Sequence, residues 1–178
     1  NDYTILTVNN RIHIYNNYYY KEENDSKIEM LIHNEYDAKL TERHRKEIIK
    51  FIKLKTYTEP KEINKEWNEI VCKNGILNLS DMKLYPHTPN KLNTTYIDHN
   101  FPSENDPELY SNKIDNYIKF ISDKNEDKER LFYEMIGSCL LRKNVFGKFF
   151  MIIGSGKTGK STLLKMIAKI VGEENKTN

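Results

Sequence analysis

No stretch limits what this chain can fold into as tightly as the run from Phe149 to Thr162. Five apolar residues rich in β-formers, Phe149-Phe150-Met151-Ile152-Ile153, lead into Gly154-Ser155-Gly156-Lys157-Thr158-Gly159-Lys160-Ser161-Thr162, and a helical apolar pattern follows at once. Strand, glycine-rich loop and helix in that order describe a phosphate-binding loop. Glycine at 154, 156 and 159 lets backbone N–H groups close around a phosphate chain, which a Cβ would obstruct. Those amides stand where a helix begins, and its unpaired N–H groups and dipole both favour an anion. Lys160 takes the catalytic part as a mobile cation for β- and γ-phosphates, and the Ser161 hydroxyl is placed to ligate Mg2+. Residues Gly154 to Thr162 are therefore the candidate nucleotide-binding set, and Ser161 the candidate metal ligand.

Two Gly-Lys pairs compete for the register. Five residues back from Gly156 lies Met151, whereas five back from Gly159 lies Gly154, so only the second register closes the motif and Lys157 becomes a loop residue. The competing explanation is a chance Gly/Lys/Ser turn, against which the strand and helix flanks count. The helix is predicted over Lys160 to Val171, with Leu163, Leu164, Ile167, Ile170 and Val171 at helical spacing and Gly172 as its C-terminal cap.

At 178 residues the chain holds one domain or two small ones. It is 38% apolar and 30% charged, and no apolar run approaches membrane-spanning length, so a cytoplasmic protein without membrane contact is expected. A net charge of +2 is too small to argue for nucleic acid by itself. Cys72 and Cys139 lack ligand spacing and read as buried thiols. The histidines fall in separate elements, with no pair at metal-ligand spacing, and no Gly-x-Ser-x-Gly elbow suggests covalent catalysis. The first residue is not Met and the last follows closely on the loop helix, so a segment of a longer polypeptide is expected.

Along the chain, Arg11 to Tyr15 and Tyr18 to Lys21 flank Asn16-Asn17 and predict a β-hairpin. Its tyrosines offer either a base-stacking platform or, more plainly, cross-strand packing. Helices are predicted over Ser26 to Tyr36, capped by Asp25 or Ser26, and from a Thr41 cap to Lys55. The second sets Arg43, Lys46, Lys50 and Lys53 along one side, either a phosphate-backbone stripe or an ordinary solvated face. A third helix is predicted from Pro60, with Ile63, Trp67, Ile70 and Val71 on one face. Ile76 to Leu79, Met82 to Tyr85 and Thr94 to Ile97 predict a small antiparallel sheet. Phe101-Pro102 and Asp106-Pro107 punctuate a linker, and two more helices carry Leu109, Ile114, Tyr117, Ile118 and Ile121, then Leu131, Phe132, Met135, Ile136, Cys139 and Leu140. Arg142-Lys143 is predicted to close the last of these.

Val71-Cys72-Lys73-Asn74-Gly75-Ile76-Leu77-Asn78-Leu79 and Lys83-Leu84-Tyr85-Pro86-His87-Thr88-Pro89 resemble the region ahead of the helicase domain in phage- and plasmid-encoded and poxvirus primase–helicases. Leu131-Phe132-Tyr133-Glu134-Met135-Ile136-Gly137, with the glycine-rich loop and Leu163 to Gly172, is similar to their superfamily 3 helicase block. One departure is Thr158, where the family carries Asn. The resemblance implies a ring-forming, homo-oligomeric (hexameric) motor that hydrolyses ATP with Mg2+ to unwind DNA, either single-stranded or at an origin. It would work in the cytoplasm of a bacterial host or a virus-infected cell. It also implies that an acidic strand, a sensor and an arginine finger lie beyond Asn178 and any primase domain before Asn1.

The expected fold is therefore α+β. A mostly helical pre-helicase domain with a small antiparallel sheet (1–123) precedes a helical lead-in and the first strand, loop and helix of an AAA+-like α/β P-loop NTPase domain (124–178). Only seventeen residues follow Ser161, which leaves no room for an acidic strand, so nucleotide binding with negligible hydrolysis is expected of this chain alone. A competing reading makes it a non-catalytic oligomerisation or DNA-docking module of a replication protein. A small-molecule kinase fits poorly, because no acceptor-binding region follows the loop.

Overall fold

A computed structural model describes residues 3–36, 40–103, 111–172 and 175. The described residues form five helices and two three-stranded antiparallel sheets, an α+β fold. Two compact units share the chain: Asn1–Glu66 with His87–Thr95, and Trp67–Pro86 with Tyr96–Asn178.

In the first unit, strands β1 (Ile5–Val8), β2 (Arg11–Tyr15) and β3 (Tyr20–Glu23) form a meander in sequence order. Asn9, Asn10 and Asn17 take positive φ in its two turns, the conformation asparagine tolerates best after glycine. Oδ1 of Asn16 also accepts the amides of Tyr18 and Tyr19 at 3.1 and 3.0 Å. Strand alternation then sorts the side chains. Ile5, Ile12 and Ile14 face helices α1 (Asp25–Tyr36) and α2 (Glu42–Lys55) through Ile28, Ile32 and Ile49. Leu6, Val8 and Tyr20 occupy the opposite face with Ile63 and Leu92. Both sheet edges are closed by backbone: Thr7 and Thr58 exchange bonds with Thr56 and Thr7 at 2.8 Å, and the Tyr20 amide bonds Asn93 O at 2.7 Å.

Both helices begin on a side-chain cap. Asn24 Oδ1 accepts the Lys27 amide at 2.8 Å, one residue ahead of the predicted cap, and Thr41 Oγ1 accepts that of His44. The tyrosines of the hairpin are packed rather than presented, except Tyr18, which is 40% exposed. Tyr15 and Tyr20 lie 5.3 Å apart, Tyr20 donates to Pro89 O at 2.8 Å, and Tyr18 meets the His87 ring edge-on. That is the cross-strand explanation, not a stacking platform.

The helix predicted from Pro60 does not form. One 3-10 turn (Pro60–Glu62) is followed by Asn64 at φ 49°, its amide bonded to Leu92 O and its side chain exchanging hydrogen bonds with Thr94. A residue held in left-handed backbone stops a helix, and the β-branched residues beyond it pair instead.

In the second unit those residues are strand β4 (Glu69–Cys72), paired antiparallel with β5 (Gly75–Asn78), which pairs with β6 (Lys83–Tyr85). Gly75 is required at the turn: a Cβ there would stand 2.7 Å from both Leu84 Cγ and Tyr85 O. Thr94 to Ile97, predicted as a strand, contributes one bridge between Ile97 and Cys72. Ile70, Cys72 and Leu77 form one core with Ile97, Phe101 and Leu140. Helices α3 (Asn112–Ile121), α4 (Glu126–Ser138) and α5 (Lys160–Val171) build another around Ile118, Met135 and Leu163. Asp106, Pro107 and Leu109 lie outside the described residues. Arg142 follows the end of α4 by four residues rather than closing it. Burial pushes its guanidinium down to about 10, opposed by the charge of Glu69. Cys139, expected to be buried, is exposed, whereas Cys72 is buried.

The main correction concerns Phe149 to Ile153. These residues form no strand, and no α/β P-loop domain is evident among the described residues. An extended segment becomes a strand only when a neighbour satisfies its backbone groups, and no described segment pairs with this one.

Candidate functional site

The glycine-rich segment lies directly ahead of α5, which runs from Lys160 to Val171 and ends on Gly172, as the apolar spacing predicts. Gly159 is the N-cap at φ 86°, with Lys157 also in left-handed backbone at φ 63°. A Cβ on Gly159 would meet Ile121 Cγ2 at 3.1 Å and Tyr117 Oη at 3.3 Å, so glycine satisfies both the dihedral and the space. The first helical bond runs from the Leu163 amide to Gly159 O at 3.0 Å. The amides of Lys160, Ser161 and Thr162 therefore precede the helical ladder, and Gly159 has no side chain to cap them.

Lys160 folds back over its own loop. Its ammonium donates to Gly154 O at 2.8 Å, to Ser155 O, and to Thr158 Oγ1 at 3.0 Å, while the Thr158 hydroxyl donates to Ser155 O at 3.0 Å. Of the two competing lysines, the one placed by the Gly154–Gly159 register makes these bonds. Residues Gly154 to Thr158 and Ser161 are exposed, Gly159 and Lys160 less so, and Gly156 has open space where a Cβ would be. The result is an exposed loop whose Gly154 and Ser155 carbonyls and Thr158 hydroxyl close on one cation, with the Ser161 hydroxyl one residue on. Such a loop can exchange its internal lysine bonds for an anion's oxygens.

Helix α5 owes its position to packing. Leu163 is 1% exposed and sits on Ile118 and Met135, with Ile152, Met166 and Ile167 around it. Helices α3 and α4 are held together in turn by the Tyr133 hydroxyl donating to Asp115 at 2.6 Å, a bond that pushes the phenol up to about 12. Tyr117 donates to Gly159 O at 2.8 Å, a contact that nothing in the sequence signalled. Between α4 and the segment after it lies a groove of about 720 Å3 lined by Leu131, Gly137, Cys139, Phe146 and Phe150 among others.

The basic stripe of α2 is largely engaged in ion pairs: Arg43 with Glu47 at 3.1 Å, Lys46 with Glu42 at 2.6 Å and Lys53 with Asp25 at 2.9 Å. Exposed pairs of this kind contribute little stability, and they leave a stripe that is nearly neutral. Among the described residues no group of three or more His, Cys, Asp or Glu side chains could hold a metal ion, and no helix is long and apolar enough to cross a membrane.

No curated protein matches the chain. Residues 2–136 match the family described as D5 N terminal like. That match spans both sheets and helices α1 to α3, ends within α4, and stops short of the glycine-rich loop. The chain thus belongs to the D5 N-terminal-like family, the pre-helicase domain of phage and viral primase–helicases, and is part of a primase–helicase-type replication protein.

Proposed function

We propose that the chain joins a pre-helicase domain, residues 1–123, to the opening of an ATP-driven DNA-unwinding motor, residues 124–178. In this reading Lys160 leaves its carbonyl partners to bind the β- and γ-phosphates of ATP, Ser161 holds Mg2+, and the amides of Gly156 to Lys160 cradle the phosphate chain. Ser155, Lys157, Thr158 and Thr162 complete the wall. The observation that carries the reading is the ammonium of Lys160 curled over Gly154 O, directly ahead of three amides that precede the helical ladder. A superfamily 3 motor would act as a homo-oligomeric, hexameric ring on DNA, and the family assignment supports that setting. Thr158 keeps a small polar side chain in the position of the family's Asn, and its bonds to Ser155 and Lys160 support a working loop despite the exchange.

The competing DNA-docking reading has weaker support, since three of the four α2 cations it needs, Arg43, Lys46 and Lys53, are paired with carboxylates. The test is Lys160→Ala in the full-length polypeptide. Loss of both ATPase and unwinding is expected, and unaltered rates would remove the assignment.

A further inference from the structure

We infer that Tyr117, on α3, is a positioning residue for the phosphate loop: its hydroxyl fixes the direction of the Lys160 amide. The inference rests on reading Gly154 to Thr162 as a phosphate cradle. The Tyr117 Oη–H donates to Gly159 O at 2.8 Å across 42 residues of sequence, and that carbonyl also accepts the Leu163 amide at 3.0 Å. Gly159 C=O and Lys160 N–H belong to one trans peptide, so they point in opposite directions. Holding the carbonyl down the helix axis therefore turns the Lys160 amide out of the helix end and into the loop.

Two further contacts make the hold specific. Gly159 sits at φ 86°, where backbone without a Cβ has wide freedom, so the Tyr117 bond adds a second hold to the one the Leu163 amide gives this peptide. Tyr117 and Ile121 occupy the space that a Cβ would take, which presses the glycine against α3. A phenol keeps its proton at neutral pH, and burial pushes that of Tyr117 further up, so the hydroxyl is a donor there. Because α3 lies within residues 2–136 and the loop beyond them, the family's domain supplies an orienting group to a site outside it.

The test compares wild-type chain, Tyr117→Phe and Lys160→Ala in a titration with Mg·ATP, and follows thermal unfolding of each with and without nucleotide. Tyr117→Phe keeps the ring and removes only the donor. Its affinity should fall about three- to tenfold, the range for one net hydrogen bond. Its Tm without nucleotide should stay within about 2 °C of wild type, so that the loss appears in the ATP-induced shift. Equal ATP affinity for wild type and Tyr117→Phe, with Lys160→Ala weakened, would overturn the positioning role and leave the cradle standing. A nucleotide-free Tm lowered along with the affinity would reduce Tyr117 to a packing residue and also overturn it. Failure of wild type to bind ATP, or binding unchanged by Lys160→Ala, would sink the cradle and this inference together.

Discussion

Ile70-Val71-Cys72 and Met151-Ile152-Ile153 are similar apolar triplets, and they end in opposite states. Each residue of β4 is buried and paired across a ladder with β5, whereas Phe149, Met151 and Ile153 are 82%, 70% and 84% exposed and paired with nothing described. The residues immediately after the exposed run behave differently again, because α5 forms in full. A helix satisfies its hydrogen bonds within itself and needs only one buried stripe, here centred on Leu163. A strand is a property of a pair, and β-propensity alone does not make one.

That contrast can be broken at several points. Leu163→Ala should have the largest effect. It removes a side chain that is 1% exposed at the meeting of three helices, with an expected cost of about 3 kcal/mol in denaturant unfolding. A cost below about 1 kcal/mol would mean that α5 is not held by this core.

Gly75→Ala comes next, at about 2 kcal/mol, because the new methyl meets the Tyr85 carbonyl as well as the Leu84 side chain, and only the latter can move aside. Gly159→Ala should cost about 1–2 kcal/mol for the left-handed backbone and its close approach to Ile121, and it should open the first turn of α5 to hydrogen exchange. The smallest effect belongs to Ile153→Ser, expected within about 0.5 kcal/mol because the side chain is already in water. A cost of about 2 kcal/mol there would show that the segment buries its side chains after all.

These elements differed in how far they could be read beforehand. The start of α2 and both ends of α5 are legible to the residue, since Thr41, Gly159 and Gly172 mark ends that local chemistry alone dictates. Strand β1 is not: Ile5 to Val8 lacks alternation, and its pairing with β2 depends on positive φ at Asn9 and Asn10. Over β4 the sequence predicts a helix instead, because Ile63, Trp67, Ile70 and Val71 happen to fall at helical intervals. What overrides that spacing is Asn64, held by Leu92 and Thr94 from a distant stretch of chain.

The candidate site divides in the same way. Its glycines, Lys160 and Ser161 follow from spacing, but the Tyr117 contact crosses 42 residues and leaves no trace in any local pattern. The exposure of Phe149, Phe150, Met151 and Ile153 is likewise invisible in composition, because the same residues would suit a fully buried strand.

The most direct measurement is hydrogen–deuterium exchange of the chain with and without Mg·ATP, resolved over residues 149 to 172. A loop built to grip a triphosphate predicts slowed exchange confined to the amides of 155 to 162, with α1, α2 and the six strands unaffected, and predicts that Lys160→Ala abolishes the slowing. Unchanged exchange across those amides at saturating nucleotide, or protection that appears elsewhere while they remain open, would contradict it.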